Sequence, residues 1–106
     1  MTDLEITPAQ LDERRKRGDA LQIVDVRNPW EHEIAAIEGD ALIPLHTLAA
    51  RFQDIDKRRM VVVYCHHGSR SFLAAQALRQ AGFDAWSLAG GIERWAIEID
   101  RSMRRY

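Results

Sequence analysis

Val61-Val62-Val63-Tyr64-Cys65-His66-His67-Gly68-Ser69-Arg70-Ser71 decides the fold of this chain, because it joins a continuous apolar run to a polar loop and a helix start. The run Val61-Val62-Val63-Tyr64 is β-branched and uninterrupted, as expected of a central strand buried on both faces of a parallel sheet. From Arg70 to Ala81 the pattern turns helical. Leu73, Ala74, Ala77, Leu78 and Ala81 mark one broad apolar face, and Gly82 is the expected stop. Strand, short loop and helix in that order put Cys65 at the carboxyl end of the strand, where open α/β sheets hold their sites.

The flanking sequence repeats the alternation. Leu4-Glu5-Ile6 reads as a short strand. Thr7-Pro8-Ala9-Gln10 reads as a helix start, with Thr7 at the N-cap, Pro8 in the first turn and Gln10 closing a capping box. That helix is expected to run to Arg17 and stop at Gly18. Leu21 to Val26 reads as a buried strand, broken by Asn28-Pro29 and followed by a short helix from Trp30 to Ile34. Ala41-Leu42-Ile43 reads as a strand closed by Pro44, and Leu48, Ala49, Phe52 and Ile55 recur at helical spacing. Asp84 to Leu88 reads as the last strand. After Gly90-Gly91, the residues Ile92, Trp95, Ala96 and Ile99 give an amphipathic helix that turns Trp95 toward the core. Such alternation implies parallel pairing. Residues 1–106 are therefore expected to form one α/β domain, a parallel sheet of about five strands with helices on both faces.

Composition narrows the partners. Fifteen basic and 16 acidic residues leave a formal net charge of -1, so no field of one sign steers the chain toward nucleic acid or an anionic membrane. The basic clusters Arg14-Arg15-Lys16-Arg17, Lys57-Arg58-Arg59 and Arg101…Arg104-Arg105 read as solvated helix ends and turns. The start, Met1-Thr2-Asp3-Leu4-Glu5, is acidic and carries no long apolar stretch, so neither a targeting segment nor a membrane span is expected. One cysteine cannot close an internal disulfide, and a reducing cytoplasm fits it best. With no second thiol in the chain to resolve it, whatever Cys65 receives must leave to another molecule.

The loop composition suits an activated thiol. The thiolate is the nucleophile, and unpaired N–H groups at a helix start favour the anion. Successive N–H groups in a tight loop also form an anion-binding nest, for which Gly68 supplies the permissive backbone. Ser69 and Ser71 can add hydroxyl donors or cap the helix, and Arg70 can supply a fixed positive charge. His66 and His67, partly protonated near neutral pH, can help attract an anion. An inert buried thiol stays open at this point. A metal site at Cys65-His66-His67 is disfavoured, since adjacent residues in a tight turn do not converge on one ion, and no metal or other cofactor is expected.

Four motifs, in order, carry a resemblance over nearly the whole chain. Cys65-His66-His67-Gly68-Ser69-Arg70-Ser71 resembles the active-site loop of the rhodanese family of sulfurtransferases. Asp25-Val26-Arg27-Asn28-Pro29-Trp30-Glu31 is similar to that family's early Asp-x-Arg segment. Gly39 to Leu45 is similar to its following strand and turn, and Leu88-Ala89-Gly90-Gly91-Ile92-Glu93-Arg94-Trp95 resembles its closing motif. The resemblance is to the single-domain bacterial type and implies a rhodanese-like domain. It implies that Cys65 takes sulfur from a small anionic donor such as thiosulfate, carries it as a persulfide, and passes it to a thiol, cyanide or protein acceptor. It places His66, His67, Gly68, Ser69, Arg70 and Ser71 around the substrate, and Asp25 and Arg27 as support, read first as a structural salt bridge. If His66 and His67 help capture the donor, its KM should rise as they lose their protons.

One departure stands out: Ala35-Ala36-Ile37 occupies the place of a Gly-His-Ile stretch found in many relatives. Two other readings remain. Phosphatases and arsenate reductases of this fold space cysteine and arginine by five residues, whereas four separate Cys65 from Arg70. A non-catalytic, partner-binding module of the same fold is the third reading, and the presence of Cys65 weighs against it.

Overall fold

The strand Met60–Tyr64 runs through the middle of the molecule, and its side chains alternate between two cores. Val61, Val63 and the following Cys65 face one side with Val24, Leu48, Ile55, Ala74, Ala75, Leu78 and Phe83. Val62 and Tyr64 face the other with Ile6, Leu11, Ile23, Leu88, Ile92 and Trp95. A strand buried on both faces requires apolar residues at every position, which is why this run does not alternate with polar residues.

The computed structural model describes residues 4–106. In chain order it holds β1 (Glu5–Ile6), α1 (Pro8–Lys16), β2 (Leu21–Asp25), α2 (Pro29–Ile34), β3 (Ala41–Leu42), β4 (Met60–Tyr64), α3 (Ser69–Gln80), β5 (Ala85–Leu88) and α4 (Gly91–Glu98). Two 3-10 segments, Leu45–Thr47 and Ala49–Asp54, join β3 to β4. The strands form one parallel sheet in the order β1-β5-β4-β2-β3, as the alternation predicts. Among the described residues, no helix is long and apolar enough to cross a membrane.

That order creates the site's location. The chain leaves β2 toward the outer strand β3, and leaves β4 toward β5 on the opposite side. The loops after β2 and β4 therefore diverge, opening a crevice at their carboxyl ends. Asp25 and Tyr64 are paired in register at the last rungs of these strands, so Val26-Arg27 and Cys65-His66 leave the sheet side by side.

The first helix matches its sequence signals. Gln10 N–H donates to Thr7 Oγ1 at 3.1 Å, and Thr7 N–H donates to Gln10 Oε1 at 2.9 Å. Two expectations need correction. The stretch around Leu48, Ala49, Phe52 and Ile55 is not one α-helix but two 3-10 pieces, interrupted by non-helical backbone at Arg51. Leu48 and Ile55 are still buried, so the spacing reported burial rather than helix type.

The buried face of α3 is Ser71, Ala74, Ala75 and Leu78, and Leu73 is 59% exposed. The helix is rotated so that Ser71 faces inward to meet Cys65 and Ser87, and a buried hydroxyl with partners carries no burial penalty that would turn it out. Leu78→Ala should therefore cost about 2–5 kcal/mol in urea denaturation, and Leu73→Ala less than about 0.5 kcal/mol.

Candidate functional site

Cys65 lies one residue beyond β4, and its side chain is enclosed, with 1% of the residue exposed. Its Sγ accepts from the backbone N–H of Gly68 at 3.1 Å and of Ser71 at 3.3 Å. Ser71 Oγ stands 3.5 Å from the sulfur and 2.7 Å from Ser87 Oγ at the end of β5. The backbone turns at Gly68, where φ is 114°, a value side-chain-bearing residues rarely adopt. This turn brings the first N–H groups of α3 back over the sulfur. A negative charge there would face N–H dipoles and the positive end of a 12-residue helix.

A loop that aims N–H groups inward sends carbonyls outward, and these need donors. The start of α4 supplies them. Ile92 N–H donates to Cys65 O at 2.9 Å and Glu93 N–H to His66 O at 3.1 Å. The approach leaves no room for a side chain at Gly91, where a Cβ would stand 2.3 Å from His66 O and 2.6 Å from Cys65 O. Gly90-Gly91, read from sequence as a closing motif, is thus the point where α4 grips the cysteine loop.

Asp25 and Arg27 form the fully buried ion pair that the sequence reading favoured. Arg27 Nε and Nη2 donate to Asp25 Oδ1 and Oδ2 at 2.8 and 2.7 Å, and Nη2 also donates to Ala35 O at 2.6 Å. Burial opposes the guanidinium charge, but the bonds to Asp25 and Tyr106 outweigh it and raise the pKa above the ordinary arginine value. The pair ties β2 to the end of α2.

Arg70 is paired with a carboxylate. Its guanidinium does not face the sulfur as a free cation. It makes a two-pronged pair with Glu31 of α2, Nη1 to Oε1 at 2.7 Å and Nη2 to Oε2 at 2.9 Å. Glu31 is nearly enclosed, and Arg70, together with Asn28 N–H and the Tyr106 hydroxyl, holds its carboxyl down to about 2 against the opposing effect of burial. Arg70 thus clamps the first turn of α3 to α2.

The His66 ring is stacked between His67, with centroids 3.8 Å apart, and Tyr106, 3.9 Å away and nearly parallel at 8°. Burial, then the neighbouring His67, pushes its pKa below the ordinary histidine value. Its proton is therefore held less tightly than that of an ordinary histidine. His67 and Ser69 are exposed at the rim.

The sequence reading assigned no role to Glu31, Ser87, Gly91 or Tyr106. Only Glu31 and Gly91 carried a local signal, by lying inside quoted motifs. A histidine does reach the neighbourhood of the altered Ala35-Ala36-Ile37 stretch, but from α2: His32 Nδ1 lies 2.9 Å from Asp25 Oδ2 and 3.7 Å from Asp40 Oδ2. Asp25, His32 and Asp40 are a group with metal-ligand donor types. Both Asp25 oxygens are already engaged by Arg27, whose charge would repel a cation, and Tyr64 Oη donates to Asp40 at 2.5 Å. The geometry describes a closed hydrogen-bond cluster.

The family described as "Rhodanese-like domain" matches residues 7–98. The probable adenylyltransferase/sulfurtransferase MoeZ of Mycobacterium tuberculosis is 38% identical over 95% of this chain, which spans only 26% of that protein's length. The thiosulfate sulfurtransferase GlpE of Pseudomonas aeruginosa is 37% identical over 85% of this chain and 81% of its own. A crystal structure of a rhodanese-related protein from Thermoplasma volcanium superposes with a TM-score of 0.83 at 32% identity, covering 90% of this chain and 92% of that one.

Two outcomes test this geometry. Gly91→Ala should cost at least about 2 kcal/mol in denaturant unfolding, since strain and a backbone clash add. Gly18→Ala, also at positive φ but facing open space, should cost about 1 kcal/mol. The Glu31 carboxyl is depressed in the folded state, so its stabilisation is complete above its usual value of 4.5 and is lost as pH falls toward about 2. Arg70→Met should remove most of that term. The drop in urea midpoint between pH about 6 and about 3 should be smaller in the variant than in the parent.

Proposed function

Because the chain belongs to the Rhodanese-like domain family, we propose that it is a sulfurtransferase in which Cys65 carries sulfane sulfur between a small anionic donor and an outside acceptor. The observation that supports this most directly is the sulfur of Cys65 lying under the N–H groups of Gly68 and Ser71 at the start of α3. The likeness to GlpE makes thiosulfate the first donor to test.

The thiolate of Cys65 attacks the outer sulfur of thiosulfate. A new S–S bond forms, the sulfur–sulfur bond of the donor breaks, and sulfite leaves with the electron pair. The product is a Cys65 persulfide with its charge on the terminal sulfur. N–H groups of the 66–71 loop stabilise that charge as they do the thiolate, at no reorganisation cost, because the loop is already fixed by α4 and by Ser71. A thiolate, cyanide or protein acceptor then attacks the terminal sulfur, and the Cys65 thiolate departs. No cofactor is required, since every step is a displacement at sulfur.

Asp25 and Arg27 act as supports that fix α2 against β2, and Arg70 positions the loop through Glu31. Backbone N–H dipoles of the loop help attract the donor. The working compartment is a reducing one, in keeping with the single free thiol.

Intact-mass analysis after incubation with thiosulfate should show the mass of one added sulfur atom on the protein, removed by cyanide or a small thiol. Cys65→Ser should show no addition. An unchanged mass in the parent, or hydrolysis of an aryl phosphate without sulfur uptake, would overturn the proposal.

A further inference from the structure

The family match ends at residue 98, yet the segment beyond it returns to the cysteine loop. After α4 the chain turns at Asp100, where Ser102 N–H donates to Oδ1 at 3.2 Å. Met103 packs against the same core as Trp95 and Ile92. Arg105 Nε then pairs with Glu93 of α4 at 3.1 Å. These contacts deliver Tyr106 into the space between α2 and the loop.

Tyr106 meets the site in three ways. Its ring lies flat on His66, the residue next to Cys65. It presents an edge to Trp30 of α2 with centroids 6.1 Å apart, and Trp30 is otherwise 60% exposed. Its hydroxyl accepts from Arg27 Nη1 at 2.8 Å and donates to Glu31 Oε2 at 2.8 Å, joining the two ion pairs that frame the loop. Burial, helped by Glu31 and opposed by Arg27, pushes the hydroxyl pKa up to about 12, so it stays protonated as a donor at any ordinary pH.

We propose that Tyr106 is a positioning and specificity-determining residue for Cys65, and that residues 99–106 form a strap whose aromatic end closes one side of the loop and slows bulky reaction partners. The role rests on the sulfurtransferase reading for its biological meaning, because it decides which donors and acceptors reach the sulfur. Its physical content does not depend on that reading. The strap is anchored by the Tyr106 ring against His66 and Trp30, by two hydroxyl contacts, by Ile99 and Met103 packed on the core, and by one surface ion pair. A segment that lies outside the sheet and is held by side-chain contacts can open locally, without unfolding of the sheet. Cys65 has 1% of its surface exposed, and Tyr106 covers the ring of its neighbour His66. Small reagents then reach the thiol by short excursions of the strap, and large ones need it displaced.

The test is the alkylation rate of Cys65 in the whole chain by a small reagent, iodoacetamide, and by a bulky aryl maleimide, at increasing sub-denaturing urea. Tyr106→Phe keeps the ring and loses the hydroxyl bridge, whereas Tyr106→Ala loses both. The expected result is acceleration of at least about tenfold for the maleimide in Tyr106→Ala, the equivalent of about 1.4 kcal/mol. A smaller gain is expected for iodoacetamide, and Tyr106→Phe should keep the parent's size discrimination. All of these rates should be nearly independent of urea, as local opening exposes little surface. Equal rates in parent and Tyr106→Ala would overturn the proposal. So would an acceleration that follows urea with the slope of global unfolding, because Tyr106 would then be a structural residue only. Failure of the sulfurtransferase reading shows separately, as absence of sulfur uptake from thiosulfate with these alkylation rates unchanged.

Discussion

A loop that points its N–H groups at one sulfur atom must turn its carbonyls away, and buried carbonyls need donors. The rest of the site depends on how this chain meets that demand. Cys65 and His66 give their carbonyls to the first N–H groups of α4, and Gly68 gives its own to Phe72 N–H and the Ser71 hydroxyl. The Ile92 and Glu93 donors are themselves end groups. The first N–H groups of a helix have no partner inside it, so α4 satisfies its own orphan donors by holding the loop. One contact therefore completes two incomplete elements, and it fixes the distance between them so tightly that only glycine fits at position 91.

The charged groups around the loop are arranged for support. Asp25 neutralises Arg27 and Glu31 neutralises Arg70, each through two hydrogen bonds. Removing one partner of such a buried pair leaves an uncompensated charge, so these residues are costly to change even though the intact pairs add little net stability. Their value lies in geometry. Arg27 reaches the Ala35 carbonyl and the Tyr106 hydroxyl, and Arg70 links α3 to α2. With Arg70 paired to Glu31 and Arg27 to Asp25, the donors that reach the Cys65 sulfur are the N–H groups of Gly68 and Ser71. These do not titrate and are aimed by the fold itself.

The sheet explains why all of this gathers at one end. Chain directions diverge after β2 and β4, and the crevice between them receives the Asp25-to-Arg27 turn from one side and the Cys65 loop from the other. The two cores lie below, and Cys65 itself packs in one of them. They are set by the alternation of Val61, Val62, Val63 and Tyr64 between the α3 side and the α1–α4 side.

The sequence by itself determined the parallel sheet, the capped first helix, the buried Trp95 and the place of Cys65 at a strand end. These follow from patterns confined to a few neighbouring residues: continuous β-branched runs, a capping box, glycines at turns. Local spacing was less reliable where two structures share a period. The Leu48-to-Ile55 repeat fits both α and 3-10 turns, and the inward face of α3 included a serine that hydropathy places outside. Only the tertiary structure decided that Arg70 faces Glu31, that α4 grips the loop at Gly91 and that Tyr106 lies on His66. Arg70 and Tyr106 meet Glu31 across 39 and 75 residues of chain, and an arginine in a loop looks the same in sequence whether its partner is a substrate or a carboxylate. The choice rests on which side chains the sheet brings within hydrogen-bond distance, and no local pattern encodes that.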